Sequence, residues 1–369
     1  MSAESIGPSM RNFKRFLVLS VDYEIFGNGT GDVRQHVVEP AERMARLCER
    51  YKVPLTVFVE TEELVAFRRY PEELQRDLGY EPASVIEEQV ASFASRGHDI
   101  QLHLHPEWFG AEYRNRRWSL RPDKGTIDSL HETADEAEAH IRERKALLEK
   151  ISGQKVTAYR AGAFSAQPGR KLLRALEVSG ITIDSSVVKG LTRSDEYTSF
   201  DYRSLPPRSI WRVGQDVTQA DEDGAVWEIP IYSVRRRRYQ QATWRRLRAK
   251  FSSHVPKERQ ADMMQQFKPK GGVGQFLRML AQPVPMKLDF HNVSPWALLR
   301  WIKAAPEPSP GLPDVLVAIG HTKEHIDDSA FEKLLRLVTS DVSLEIVSFD
   351  AVAKLLTPHP RSPSILLGR

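Results

Sequence analysis

The chain of 369 residues has a single cysteine, Cys48. A disulfide framework within the chain is therefore excluded. It also lacks any run of about 20 apolar residues, so no transmembrane helix is expected. The stretch from Met1 to Phe13 has neither the apolar core nor the small-residue cleavage site of a secretory signal, and a cytoplasmic location is expected. No internal repeat is present. Neither sign of charge dominates: 53 Lys and Arg against 49 Asp and Glu leave a net +4. That balance does not call for a nucleic-acid partner, and no nucleic-acid-binding motif accompanies the arginines. The hydrophobic content of 41% suffices for a large core.

What is present is a long alternation of strand and helix patterns. Strands are expected at 14–22, 55–60, 99–105, 155–159, 181–184, 226–231, 286–290, 314–319 and 343–347. Helices are expected at 39–52, 84–96, 126–151, 168–178, 295–303, 328–338 and 349–356. Pro40 marks the start of the first helix, and Gly97, Gly153 and Gly180 stop later ones. Repeated strand–helix units imply parallel strands and an α/β architecture, either a barrel or a doubly wound sheet. One domain over 14–356 is expected, carrying insertions at about 190–225 and 232–285, with tails at 1–13 and 357–369.

In parallel α/β folds the chemistry sits at the carboxyl ends of strands. Four groups occupy such positions: Asp22 and Glu24, then His103 and His105, then Arg160, then His321. The spacing of two in Asp22/Glu24 and in His103/His105 puts each pair on one strand face. Two imidazoles on one buried surface are costly unless bonded or ligated, so His103 and His105 point to a metal ion. Each of the other groups also has a plain structural reading. Asp22 could cap a turn, Glu24 could be a surface acid, Arg160 could form a surface ion pair and His321 could cap the next helix. His98 reads as structural, and His325, on the turn beyond His321, is the poorer candidate of those two. Asp184 either orients a histidine or caps a turn.

Two further segments carry candidate binding chemistry. Trp108, Phe109, Tyr113 and Trp118 lie among Arg114, Arg116 and Arg117, a composition suited to pyranose faces and anionic groups. Trp108, Tyr113 and Trp118 are the candidate substrate-binding residues, the alternative being that such aromatics pack the loop on the barrel. Arg235 to Arg238, Arg245, Arg246, Arg248 and Lys250 crowd one segment, in which Trp244, Leu247 and Phe251 recur at helical spacing. A helix carrying that stripe would either bring the segment 235–251 to an anionic membrane surface or pair with acids elsewhere, such as Asp221, Glu222 and Asp223.

These pieces, in this order, resemble the polysaccharide deacetylase family, carbohydrate esterases with a distorted (β/α) barrel. Ser20-Val21-Asp22-Tyr23-Glu24 stands where that family has Thr-Phe-Asp-Asp-Gly. Gly97-His98-Asp99-Ile100-Gln101-Leu102-His103-Leu104-His105 is similar to its Gly-His-Glu-Ile-Gly-Asn-His-Thr-x-x-His. Arg160-Ala161-Gly162-Ala163 partly matches its Arg-x-Pro-Tyr. Asp184-Ser185-Ser186 and Ile319-Gly320-His321 stand for its fourth and fifth motifs. The adjacent acid pair has become Asp-x-Glu. The family's second metal histidine falls at Glu107, so either His105 or Glu107 takes that place; His105 is favoured because it shares the strand face with His103.

The resemblance implies a distorted (β/α) barrel with insertions and a metal-dependent hydrolase of carbon–nitrogen bonds other than peptide bonds. It implies a divalent ion, zinc by default, held by Glu24, His103 and His105, with Asp22 as general base, Arg160 keeping Asp22 ionised and His321 as general acid. The roles of Asp22 and Glu24 are exchangeable. The implied reaction is removal of an N-acyl group, N-acetyl above all, from an amino sugar of surface-glycan or lipid-linked saccharide metabolism. Two alternatives stand beside it: a hydrolase of a cyclic imide or ureide, and a catalytically silent module that binds glycan or membrane.

Overall fold

Hydrophobic alternation along the strands sorts side chains to two faces of a strongly curled sheet. The computed structural model describes residues 14–241, 255–257 and 273–356. Its main sheet comprises β1 (Arg15–Tyr23), β2 (Thr56–Glu60), β3 (Asp99–Leu104), β4 (Ala158–Ala161), β5 (Ile183–Asp184), β6 (Trp211–Val213), β7 (Val226–Glu228), β8 (Val315–His321) and β9 (Leu344–Val347). The order across the sheet is β6-β7-β5-β4-β3-β2-β1-β8, and β9 also pairs with β1. Every pairing is parallel except β6 with β7.

The sheet curls until its two sides meet. Ile231, just past β7, bridges to Val188 on one side and to Val317 of β8 on the other. The result is a distorted α/β barrel. The strand Pro283–Lys287 forms a separate ribbon with Ser233–Arg237, and Asp289 beyond it bridges to Ile319.

One strand parity faces the helices and the other faces the barrel interior. Leu17, Leu19, Val21, Ile100, Leu102, Leu104, Leu316 and Ala318 belong to the outer core beneath the helices. Val18, Phe58, Ala158, Ile183, Val315, Val317 and Ile319 belong to a second, interior cluster, which Phe349 and Val352 close from below. The polar residues that share the interior parity (Ser20, Asp22, Asp99, Gln101, His103 and Arg160) are all buried. The candidate chemistry is therefore carried on the inward face of the barrel strands.

The interior polar residues near the floor hold the C-terminal helix Phe349–Leu356. The Asp99 carboxylate accepts from Thr56 Oγ1 at 2.8 Å, from Gln101 Nε2 at 2.7 Å and from the Phe349 amide at 2.9 Å. Burial pushes the Asp99 carboxyl up, against these three donors.

Several elements differ from the sequence expectations. The helix expected over 126–151 is broken into Ile127–Leu130 and Ala134–Ser152. Thr126 and Thr133 each form a capping box at a helix N-terminus, so the chain starts a helix twice where periodicity alone runs through. Two helices not foreseen, Thr61–Arg69 and Pro71–Leu78, follow β2. The first part of the basic segment is extended: Arg235, Arg236 and Arg237 lie on the strand Ser233–Arg237, and Arg238 opens the short 3-10 turn Arg238–Gln241. Backbone pairing with 283–287 holds these strand positions extended. Trp244, Leu247, Phe251 and the tail 357–369 lie outside the described residues. Among the described residues no helix is long and apolar enough to cross a membrane.

Asp99→Ala should orphan three buried donors and lower stability by about 2–3 kcal/mol. Asp99→Asn, which keeps an acceptor oxygen, should cost clearly less. Urea denaturation of the three proteins checks this; equal stability of Asp99→Ala and the parent would refute the floor contact.

Candidate active site

Strand register brings the candidate residues together at the upper end of the barrel. Asp22 of β1 pairs with His321 of β8, and His103 of β3 pairs with Glu60 of β2 and with Arg160 of β4. Glu24 and His105 extend the same inward parity by one further step.

Arg160 is wholly buried in the lumen. Its Nη1 donates to Asp22 Oδ1 at 2.6 Å, its Nη2 to Ser20 Oγ at 2.9 Å and its Nε to the Ser185 carbonyl at 3.1 Å. The guanidinium lies 4.0 Å from the centroid of the Phe58 ring. Burial works to raise the Asp22 carboxyl pKa, but the Arg160 charge and the His103 and His321 imidazoles hold it below the ordinary carboxylate value. Asp22 Oδ2 remains turned toward His321 Nε2, 3.5 Å away. On the far side of that ring, Nδ1 is 3.5 Å from Glu324 Oε2.

Glu24, His103 and His105 offer ligand atoms that all lie within 4.8 Å of one another. His103 Nδ1 is 2.9 Å from the Arg160 carbonyl, to which it donates, so Nε2 carries the lone pair. That Nε2 atom is buried and has no hydrogen-bond partner. Glu24 Oε2 stands 3.5 Å from it, 2.8 Å from His105 Nε2, and accepts no hydrogen bond of good geometry. A buried imidazole lone pair facing a buried carboxylate oxygen is a costly arrangement unless a cation lies between them. Two imidazole nitrogens and one carboxylate oxygen suit a divalent ion of the zinc type. By this test the residues fit a metal.

The structure also separates His105 from Glu107. His105 Nε2 faces Glu24, while its Nδ1 meets Glu107 Oε1 at 2.8 Å. Glu107 therefore stands behind the imidazole and orients it, as carboxylates commonly do for metal-binding histidines. Burial alone would favour neutral His105, but Glu107 and Glu24 raise its pKa well above the usual histidine range.

A further layer of acids pins the backbone. Glu60 Oε1 accepts from the His105 amide at 2.7 Å, and Glu63 Oε2 accepts from the Ile25 amide at 3.1 Å. Burial, reinforced by the Glu24 charge, pushes Glu63 up to about 8. Lys323 Nζ contacts Glu24 Oε1 at 2.7 Å and the Ile25 carbonyl at 2.8 Å. The sequence reading had no role for Lys323, Glu60, Glu63 or Glu324. Lys323 follows His321 by two residues, the same spacing that singled out Glu24 and His105, and that was the available signal.

Three sequence expectations are corrected. Trp108 has no exposed surface and packs edge-on against Phe67 and Trp118, so it cannot offer a face to a substrate. Tyr113 is 8% exposed and joins the same aromatic cluster, with its hydroxyl donating to Asp77. Tyr113 and Trp118 border a cavity of about 320 Å³ behind the 25–31 loop, whose lining includes none of the metal-candidate residues. These aromatics chiefly pack the loop on the barrel, because burying their large apolar surface outweighs leaving it free. Asp184 does not orient a histidine: it lies opposite Glu228 in the sheet and accepts from Ser186 Oγ. His98 bonds Glu49 and the Leu55 amide, and His325 bonds Asp328, both structural contacts.

Gly162 shows how closely β4 approaches β3. A Cβ there would stand 2.5 Å from His105 Cγ. Ala163 and Phe164, the next two residues, have φ of 50° and 64°, a left-handed backbone that costs non-glycine residues energy at the mouth of the barrel.

No family model matches the chain, and no curated protein matches it. Solved structures similar to it include a protein from Mycobacterium smegmatis provisionally described as a polysaccharide deacetylase. That match has 14% identity and a TM-score of 0.48, and covers 98% of this chain and 97% of that one. The 4-alpha-glucanotransferase from Thermococcus litoralis is similar at 10% identity and TM-score 0.47, over 94% of this chain and 41% of that one. A family 4 acetyl xylan esterase from Clostridium thermocellum, solved in complex with a cobalt ion, is similar at 10% identity and TM-score 0.36, over 92% and 91%. Likenesses at this level carry no assignment of chemistry, which rests on the side chains themselves.

Gly162→Ala should displace the His105 ring and weaken zinc binding at least about 10-fold, the scale of a misoriented ligand, with the fold retained. Zinc titration alongside circular dichroism reads both. Unchanged affinity would show that His105 does not need its observed position to bind.

Proposed function

We propose that this protein is a metal-dependent hydrolase that removes an N-acyl group, N-acetyl above all, from an amino sugar. The observation that carries the reading is the partnerless His103 Nε2 facing Glu24 Oε2 beside His105, with the Asp22–Arg160 pair and His321 at the same end of the barrel. Glu24, His103 and His105 would hold the ion. A divalent cation bound there supplies Lewis acidity toward an acyl oxygen and toward water.

The chain's own residues supply the proton chemistry. Arg160 occupies Asp22 Oδ1 and keeps the carboxylate charged, which leaves Oδ2 free to accept a proton from an attacking water. His321, across the same mouth, is placed to give a proton to the departing nitrogen as the C–N bond breaks. Glu324 Oε2 stands 3.5 Å from His321 Nδ1, on the side of the ring away from Asp22. Asp22 and His321 stand together, yet each has a separate partner behind it, Arg160 for the base and Glu324 for the acid. That separation supports Asp22 as the base and Glu24 as the ligand in this reading.

The test is metal content with activity. The purified protein should carry or take up about one zinc-like ion per chain and release acetate from N-acetylated amino sugars. His103→Ala should lose the ion with the fold retained. Asp22→Asn should keep the ion and lose about 10²–10⁴-fold in kcat. A protein that takes up no divalent ion, or an Asp22→Asn variant of full activity, would sink the proposal.

A further inference from the structure

Besides Glu24, His103 and His105, a second group of possible ligands exists among the described residues: Asp22, Glu24 and His321, also within 4.8 Å of one another. The two groups share Glu24. By side-chain type alone, the barrel mouth could hold two cations bridged by one carboxylate, an arrangement known for hydrolytic sites with ions about 3.5–4 Å apart. Which of these the chain uses is decided by what already occupies the carboxylate oxygens.

Lys323 is the deciding group. It lies in the turn Thr322–Glu324 directly after β8, and its side chain is only 12% exposed. Its ammonium is 2.7 Å from Glu24 Oε1 and 2.8 Å from the Ile25 carbonyl, so two acceptors fix it. On the opposite side of the second group, Arg160 occupies Asp22 Oδ1 at 2.6 Å. Each carboxylate of that group thus has one oxygen taken by a fixed cation, the buried Arg160 for Asp22 and the largely covered Lys323 for Glu24. A metal ion placed there would meet two positive charges at short range in surroundings that screen them poorly.

Resting on the metal-site reading above, we propose that Lys323 is a positioning residue that limits Glu24 to a single metal-binding oxygen and, by its charge, keeps the barrel mouth to one ion. Glu24 Oε2 is turned to His103 and His105, and Oε1 belongs to Lys323. Glu24 can then neither chelate one ion with both oxygens nor bridge two. Asp22 Oδ2 and His321 Nε2 are left out of metal coordination, free for proton transfer. Lys323 touches no reacting atom in this scheme; it acts through Glu24.

The experiment is zinc titration of the intact protein against a chromophoric chelator, with elemental analysis after dialysis. It compares the parent with Lys323→Met, Lys323→Gln and Lys323→Arg. The parent and Lys323→Arg should bind about one ion per chain. Lys323→Met should bind about two, because Glu24 Oε1 is released and a neighbouring positive charge removed. Lys323→Gln is equally neutral but can still donate to the Ile25 carbonyl, so it carries the test if Lys323→Met does not fold. A merely structural lysine would lower thermal stability in both neutral variants without changing the zinc count. Stoichiometry of about one with parental affinity in both folded neutral variants overturns the role of Lys323 and leaves the metal-site reading intact. About two ions in the parent likewise overturns it. No ion bound by the parent overturns this inference and the metal-site reading together.

Discussion

The pairing of Arg160 with Asp22 inside the barrel is the constraint on which the rest of the site depends. A guanidinium with no exposed surface must find partners for its donors, and it finds them in Asp22, Ser20 and the Ser185 carbonyl, over the face of Phe58. Leaving either charge of such a pair alone costs about 3–5 kcal/mol, so the two are kept together. A buried ion pair adds little net stability over an apolar filling. What it does add here is a carboxylate held ionised in the barrel interior, one oxygen committed and the other available. Three strands, β1, β4 and the segment after β5, must be in their observed register for that network to exist.

From this centre the site is built outward in layers. Glu24, His103 and His105 converge one step above Asp22. Behind them Glu107 orients His105, Glu60 and Glu63 hold the His105 and Ile25 amides, and the Arg160 carbonyl fixes the tautomer of His103. Such supporting contacts pre-organise ligand atoms, so little rearrangement is needed when a cation or a developing charge arrives. The close approach of Gly162 to the His105 ring and the left-handed backbone at Ala163 and Phe164 belong to the same construction. The chain tolerates local strain where strand ends must crowd together.

The division of labour among four acids follows from their neighbours rather than their type. Asp22 sits against Arg160, Glu24 against Lys323 and two imidazoles, Glu107 against the rear of His105, and Glu324 against the rear of His321. Each carboxylate has a partner that either keeps it charged or uses it to aim a ring. The barrel beneath supplies only the frame. A fold by itself fixes no chemistry, and so the reading of function rests on these contacts.

Strand parity and strand-end position are local properties, and both were legible in the chain. Alternation placed Asp22 with Glu24 and His103 with His105, and the strand–helix alternation implied an α/β fold of parallel strands with chemistry at strand ends. The C-terminal run of elements from 295 to 356 was readable for the same reason: short-range periodicity and caps decide it. The strand–helix pattern alone left barrel and open sheet undecided; the family resemblance implied the barrel, which the bridges of Ile231 to both Val188 and Val317 close. Composition offered Trp108, Tyr113 and Trp118 as binding faces, yet their burial depends on Phe67 and Tyr70, brought up by a helix that the pattern did not reveal. Composition marked the arginines from Arg235 onward as one basic segment, but it did not reveal that Arg235 to Arg237 lie on a strand whose partner is some 50 positions away. Lys323 meets Glu24 across 299 residues of chain. The sequence alone thus determined which side chains face inward at the strand ends, since that is set by backbone geometry within each strand. Only the tertiary structure decided which inward groups touch, because contact between distant strands depends on register and closure, and no local pattern encodes either.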